Sequence, residues 1–153
     1  MPRPINTLFI HCSAYPNGDT RHTIRDIDAD HAARGFRRRP EALDWQPSLV
    51  YVAYHKFVDC LGVVWECRNE EEPGQHASGH NSLSIAYCLM GTDVFTPAQW
   101  GTLQKLVEDA KLRYGSELAI RGHHEVNSEK TCPGFDVQQW LTGGMVPLEG
   151  HIL

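Results

Sequence analysis

The feature that most narrows what this chain can become is a series of short apolar runs set between helix and turn signals, two of which end in histidine. Thr7-Leu8-Phe9-Ile10 reads as a buried strand ending at His11-Cys12-Ser13, because a brief apolar run of β-favouring residues suits a strand that is covered on both faces. Val50 to Val58 reads as a second strand, with Gly62-Val63-Val64-Trp65 as its hairpin partner across Asp59-Cys60-Leu61. Ser82 to Met90, rich in aliphatic residues, fits a central strand, and Leu118-Ala119-Ile120 a short one leading to Gly122-His123-His124.

Between these runs lie helix signals. Thr23 can cap a helix that continues to about Arg34, where Gly35 stops it. Thr96-Pro97-Ala98-Gln99 starts another, with proline at the first helical position, and Leu103, Leu106, Val107 and Ala110 keep helical spacing up to Tyr114-Gly115. A last short helix is expected around Val137 to Leu141. Strands alternating with helices around one hairpin predict an α/β fold, a single domain with a central mixed β-sheet flanked by helices. The 153 residues suit one domain, expected over residues 1–142, with a loose tail over 143–153. Residues 36–48, with Arg37-Arg38-Arg39-Pro40, read as a long solvated loop, and Glu70-Glu71-Glu72 as an acidic one.

The formal charge of −5 gives no general basic field, which argues against nucleic acid as a partner. The apolar stretch from Leu8 to Ile10 is too short for a secretion signal, and no run approaches the ~18 apolar residues of a membrane span. Synthesis in the cytoplasm without a signal peptide is therefore expected, with another factor needed to carry the protein to any substrate outside that membrane. The 5 cysteines are an odd set without CxxC spacing, so reduced thiols are expected rather than a disulfide framework. Cys12 and Cys88 sit in apolar runs and read as core residues, whereas Cys132 lies among polar residues before Pro133-Gly134.

Neutral imidazole and thiolate are zinc ligands, and a catalytic zinc takes three protein ligands with one position left for water. His11 at one strand end, His123 or His124 at another, and Cys132 in the loop beyond form such a set. Spacing alone leaves a second reading open, a hydrolase in which Cys132 attacks and a histidine serves as base.

Five segments occur in one order: Phe9-Ile10-His11-Cys12-Ser13-Ala14; Tyr54-His55; His76-Ala77-Ser78-Gly79-His80-Asn81-Ser82 leading to Ser84-Ile85; Gly122-His123-His124-Glu125-Val126; and Lys130-Thr131-Cys132-Pro133-Gly134-Phe135-Asp136. The ordered set, spanning roughly residues 8 to 140, resembles the phage-type lysozymes that are N-acetylmuramoyl-L-alanine amidases, relatives of animal peptidoglycan recognition proteins. The resemblance implies a single Zn2+ on His11, His123 and Cys132, with His123 rather than His124 as the second histidine ligand. It implies Tyr54 and Lys130 as catalytic residues, and bacterial peptidoglycan or its muropeptides as substrate for a monomeric endolysin. His76 and His124 become candidates for substrate contact, with a loop histidine and a structural neighbour of the metal as their respective alternatives.

The chain departs from the family pattern in three places. Cys67 stands where a glycine usually precedes the arginine, the loop around Arg37 to Trp45 is longer than in the smallest phage members, and the spacing from His123 to Cys132 is one residue longer. Lys130 keeps its place two before Cys132, so the extra residue is expected at Asn127-Ser128-Glu129. The alternative from another class is a peptidoglycan-binding module of the same fold. Relatives resembling that type commonly lack the cysteine ligand, and Cys132 is present here.

Overall fold

A computed structural model describes residues 2–153. Five strands form one sheet: β1 (Thr7–Cys12), β2 (Lys56–Val58), β3 (Val64–Glu66), β4 (Ser84–Leu89) and β5 (Ala119–Gly122), in the order β3-β2-β4-β1-β5. Only the β2–β3 hairpin is antiparallel; β4 pairs with β1 and β2, and β1 with β5, all parallel. The mixed sheet flanked by helices is the expected architecture.

Three helices cover it: α1 (Ile24–Ala33), α2 (Pro97–Tyr114) and α3 (Val137–Thr142). Both long helices start in a capping box. Thr23 pairs with Asp26 and Thr96 with Gln99, which satisfies backbone N–H groups that a helix start leaves open. Strand alternation then sorts the core into two layers. Leu8 and Ile10 of β1, with Ile85, Tyr87 and Leu89 of β4, pack under Trp100, Leu103 and Val107 of α2 and Trp140 of α3. Cys88, from the other face of β4, joins Phe57, Met90, and Ile24 and Ile27 of α1. Every residue of β4 is buried, as a strand in the middle of a doubly covered sheet must be. His11 lies two residues beyond Phe9 and so falls on the α1 face.

Several expectations change. The second strand is only three residues long, because residues 50–55 leave the ladder. The His55 ring takes a backbone role there: its Nδ1 accepts the Ala86 N–H (3.0 Å), and its Nε2–H donates to the Glu72 carbonyl (2.6 Å). Without a regular strand, strict alternation fails, and Tyr54 packs with the cluster that contains Phe57. The three arginines are not uniformly solvated either. Arg37 and Arg39 are exposed, whereas Arg38 is buried and donates to the carbonyls of Ala42, Gln46 and Leu49 and to Glu72.

The loop that carries it includes a 3-10 turn over Pro40–Trp45. Cys67 is fully buried with its N–H on the His55 carbonyl (2.9 Å), so the local backbone accommodates the residue. The C-terminal segment expected to be loose is docked. Phe95 and Ile152 form a parallel bridge, and the His151 carbonyl accepts from the Phe95 N–H (2.9 Å) and from Trp100 Nε1 (3.0 Å). Among the described residues, no helix is long and apolar enough to cross a membrane.

Candidate metal centre

Because β1 and β5 are adjacent and parallel, their carboxyl ends emerge side by side, where α/β sheets place functional groups. His11 is the penultimate residue of β1, and His123 follows Gly122, the last residue of β5. Their ring centroids lie 4.7 Å apart. The third member arrives on the loop after the 3-10 turn His123–Glu125. That loop closes through Lys130 N–H to the Asn127 carbonyl (3.0 Å), within the stretch expected to absorb the extra residue. Both the backbone N–H (3.0 Å) and the ring Nδ1 (3.1 Å) of His124 reach the Cys132 carbonyl. Gly134 lets the loop approach the neighbouring turn, since a Cβ there would meet the Thr92 carbonyl oxygen at 2.2 Å and its positive φ disfavours any side chain.

One ligand atom from each of His11, His123 and Cys132 lies within 4.8 Å of the others. Cys132 Sγ is 3.5 Å from His11 Nδ1. With zinc–nitrogen and zinc–sulfur bonds of about 2.0 and 2.3 Å in a tetrahedron, an N···S edge of about 3.5 Å is required. Both histidines are held below their usual pKa, His11 strongly, first by burial and then by neighbouring charge from His123 at His11 and from Lys130 at His123. They are therefore neutral at pH 7, the form that binds metals. Cys132 is the opposite case. Its contact with Cys12 and its burial push the thiol up, so it holds its proton unless a cation is near. The Cys12 N–H, 3.1 Å from Cys132 Sγ, is placed to stabilise a thiolate once one forms. The donor set thus fits a zinc ion.

The cluster forms part of the wall of a cavity of about 630 Å³, which Tyr54, His76 and Lys130 also line. The Tyr54 ring sits 5.0 Å from that of His11 and 5.3 Å from that of His31, and burial raises its phenol well above the usual value. Lys130 is exposed at the cleft. His76 is buried with a ring nitrogen 3.0 Å from His11 Nε2. His124 Nδ1 lies 3.1 Å from the Cys132 carbonyl.

Two residues at this site escape a reading of the sequence. His31, buried on α1, accepts the Ala53 N–H (2.9 Å) and braces Tyr54; helical spacing after Ile24 and Ile27 was its only signal. Ser84 is a buried hydroxyl at the start of an otherwise apolar strand.

Comparison with known proteins shows the family. The family described as N-acetylmuramoyl-L-alanine amidase matches residues 1–135. The endolysin of Escherichia phage T7 is 33% identical over 143 residues, 88% of this chain and 84% of that one. The endolysin of Klebsiella phage KP32 is 32% identical over 141 residues, 87% and 83% of the two chains. Among solved structures, the amidase LysC from Clostridium intestinale superposes with a TM-score of 0.74 at 21% identity, covering 94% of this chain and 87% of its own. Peptidoglycan recognition protein-LE, solved with tracheal cytotoxin, gives a TM-score of 0.69 at 20% identity over 92% and 81%. Family match and sequence identity together place this chain in the N-acetylmuramoyl-L-alanine amidase family.

Proposed function

We propose that this chain is a zinc-dependent endolysin of the phage type. It would hydrolyse the amide that joins the lactyl group of N-acetylmuramic acid to the L-alanine of the peptidoglycan stem. The observation that carries the reading is the convergence of His11, His123 and Cys132 at the wall of an open cleft, with an Nδ1···Sγ separation suited to one tetrahedral ion. When bound at such a site, zinc supplies a water of lowered pKa and a Lewis acid for the amide carbonyl.

The chain's own residues then supply orientation and charge. Lys130 brings a cation to the cleft, where a tetrahedral oxygen would become negative. Tyr54, whose burial favours the neutral phenol, retains a proton to donate to that oxygen. His31 and His11 hold the Tyr54 ring between them. The cavity is wide enough for a sugar and the first residues of a peptide and remains open at one side.

A thiol nucleophile at Cys132 is less well supported, because reactive cysteines need a lowered pKa and this one is raised. A binding-only module would have no need for the complete ligand triad. Mass spectrometry of purified peptidoglycan digested by the zinc-loaded protein separates these readings. Free stem peptides beginning in L-alanine, absent from a chelated control, are expected; digests containing only disaccharide-linked peptides would sink the amidase assignment.

A further inference from the structure

His11 presents Nδ1 to Cys132 while its other nitrogen, Nε2, meets His76 Nδ1 at 3.0 Å. His76 Nε2 in turn meets Ser84 Oγ at 3.1 Å, and Ser84 Oγ lies 2.7 Å from the His80 carbonyl. The last link sets the direction of all the others. A carbonyl only accepts, so the single Ser84 hydroxyl proton points at His80, and Ser84 Oγ can only accept from His76. His76 therefore carries its proton on Nε2, and its bare Nδ1 accepts from His11 Nε2–H. His11 is left with a lone pair on Nδ1, the atom that faces Cys132 and the cleft.

We infer that His76 and Ser84 are positioning residues that lock His11 in the Nε2–H tautomer and aim its Nδ1 at the metal, an inference that rests on the zinc reading above. The two links through the His76 ring are buried, and His11, His76 and Ser84 are at most 7% exposed. The loop that holds His76 is itself fixed, since Asn81 Oδ1 accepts the N–H groups of His76 (2.9 Å) and Ala77 (3.0 Å). Gly74 permits the approach, because a Cβ there would lie 2.7 Å from the Ala53 carbonyl oxygen and 2.8 Å from the His76 ring. With both ring nitrogens engaged, His76 has no hydrogen bond left for substrate. Hydrogen bonds that orient a ligating histidine typically change metal affinity 10–100-fold when removed, roughly the effect expected here.

The test has two readouts. In metal-free wild-type protein, nitrogen NMR of the histidine rings should find His11 protonated on Nε2 alone. In Ser84→Ala, a His11 population protonated on Nδ1 should appear. Zinc dissociation constants from chelator competition at fixed pH should weaken on the order of 10-fold in Ser84→Ala and up to roughly 100-fold in His76→Phe. Ser84→Thr, which keeps the hydroxyl, should remain close to wild type, and thermal melting checks that each variant is folded.

A wild-type His11 with its proton on Nδ1, or a folded His76→Phe with unchanged zinc affinity, overturns the relay alone. A wild type that takes up no zinc overturns the relay and the zinc reading together. If a variant does not fold, the wild-type tautomer still decides.

Discussion

Two regions of this molecule concentrate ionisable side chains, the cleft at the ends of β1 and β5 and the acidic loop after β3. In the loop, Glu72 is buried between Arg38 (3.2 Å) and Arg68 (3.8 Å), and Glu70 accepts from Tyr114 (2.6 Å), Tyr87 (2.7 Å) and Arg113. Glu70 and Glu72 thus have their counter-charges inside the fold. In the cleft, two imidazoles and a thiol turn their donor atoms toward one another, and the charged side chains Arg34, Glu129 and Lys130 line the wall around them. Charge that is internally satisfied holds a loop in place, whereas donors that converge without an internal cation leave room for an external one.

Cys132→Ser should break the cleft side of this comparison most completely, losing metal and activity together; metal analysis beside muropeptide release reads both. Lys130→Ala should keep its zinc and lose on the order of 100 to 1000-fold in turnover, the usual cost of removing an oxyanion donor. Unchanged turnover would remove Lys130 from the mechanism.

The loop should answer in stability instead. Glu72→Gln leaves Arg38 and Arg68 buried without a counter-charge, at a cost of about 3 to 5 kcal/mol, or roughly 10 °C in melting temperature, with zinc affinity unchanged. Glu70 sharpens the contrast with pH. Burial alone would raise its pKa, but the hydrogen bonds from Arg113, Tyr114 and Tyr87 outweigh it and hold the carboxyl at about 2. Its stabilisation is therefore complete above the ordinary carboxylate pKa near 4.5 and is lost as pH falls toward 2. Acid unfolding of Glu70→Gln should show a stability slope flatter by about one proton across that window. The smallest effect is expected for the exposed pair: Arg37→Gln with Arg39→Gln should move stability by less than about 0.5 kcal/mol.

What the sequence revealed depended on whether a residue's role is written in a local pattern. β1, β4 and α2 were legible because apolar runs, helical spacing and the Thr96-Pro97 start are local signals. His11 and His123 were legible as strand-end residues, and the ordered motifs joined them to Cys132. Arg38 was not, since three consecutive arginines look alike and only the fold decides which one meets Glu72. Nor was the truncation of β2, where an imidazole replaces a backbone partner. The docked C-terminus hid for a similar reason, because its backbone hydrogen bonds to Phe95 need no side-chain pattern. Ser84 carries no local signal of its role, since only the fold brings its hydroxyl between His76 and His80.

The central claim, that His11, His123 and Cys132 hold the ion on which amidase activity depends, is tested most directly by metal titration of a single preparation. Protein stripped by chelator should release no stem peptides from peptidoglycan, and activity should return in proportion to added zinc, reaching its plateau at about one ion per chain. Full activity in the stripped protein, or a plateau unrelated to zinc bound, would contradict it.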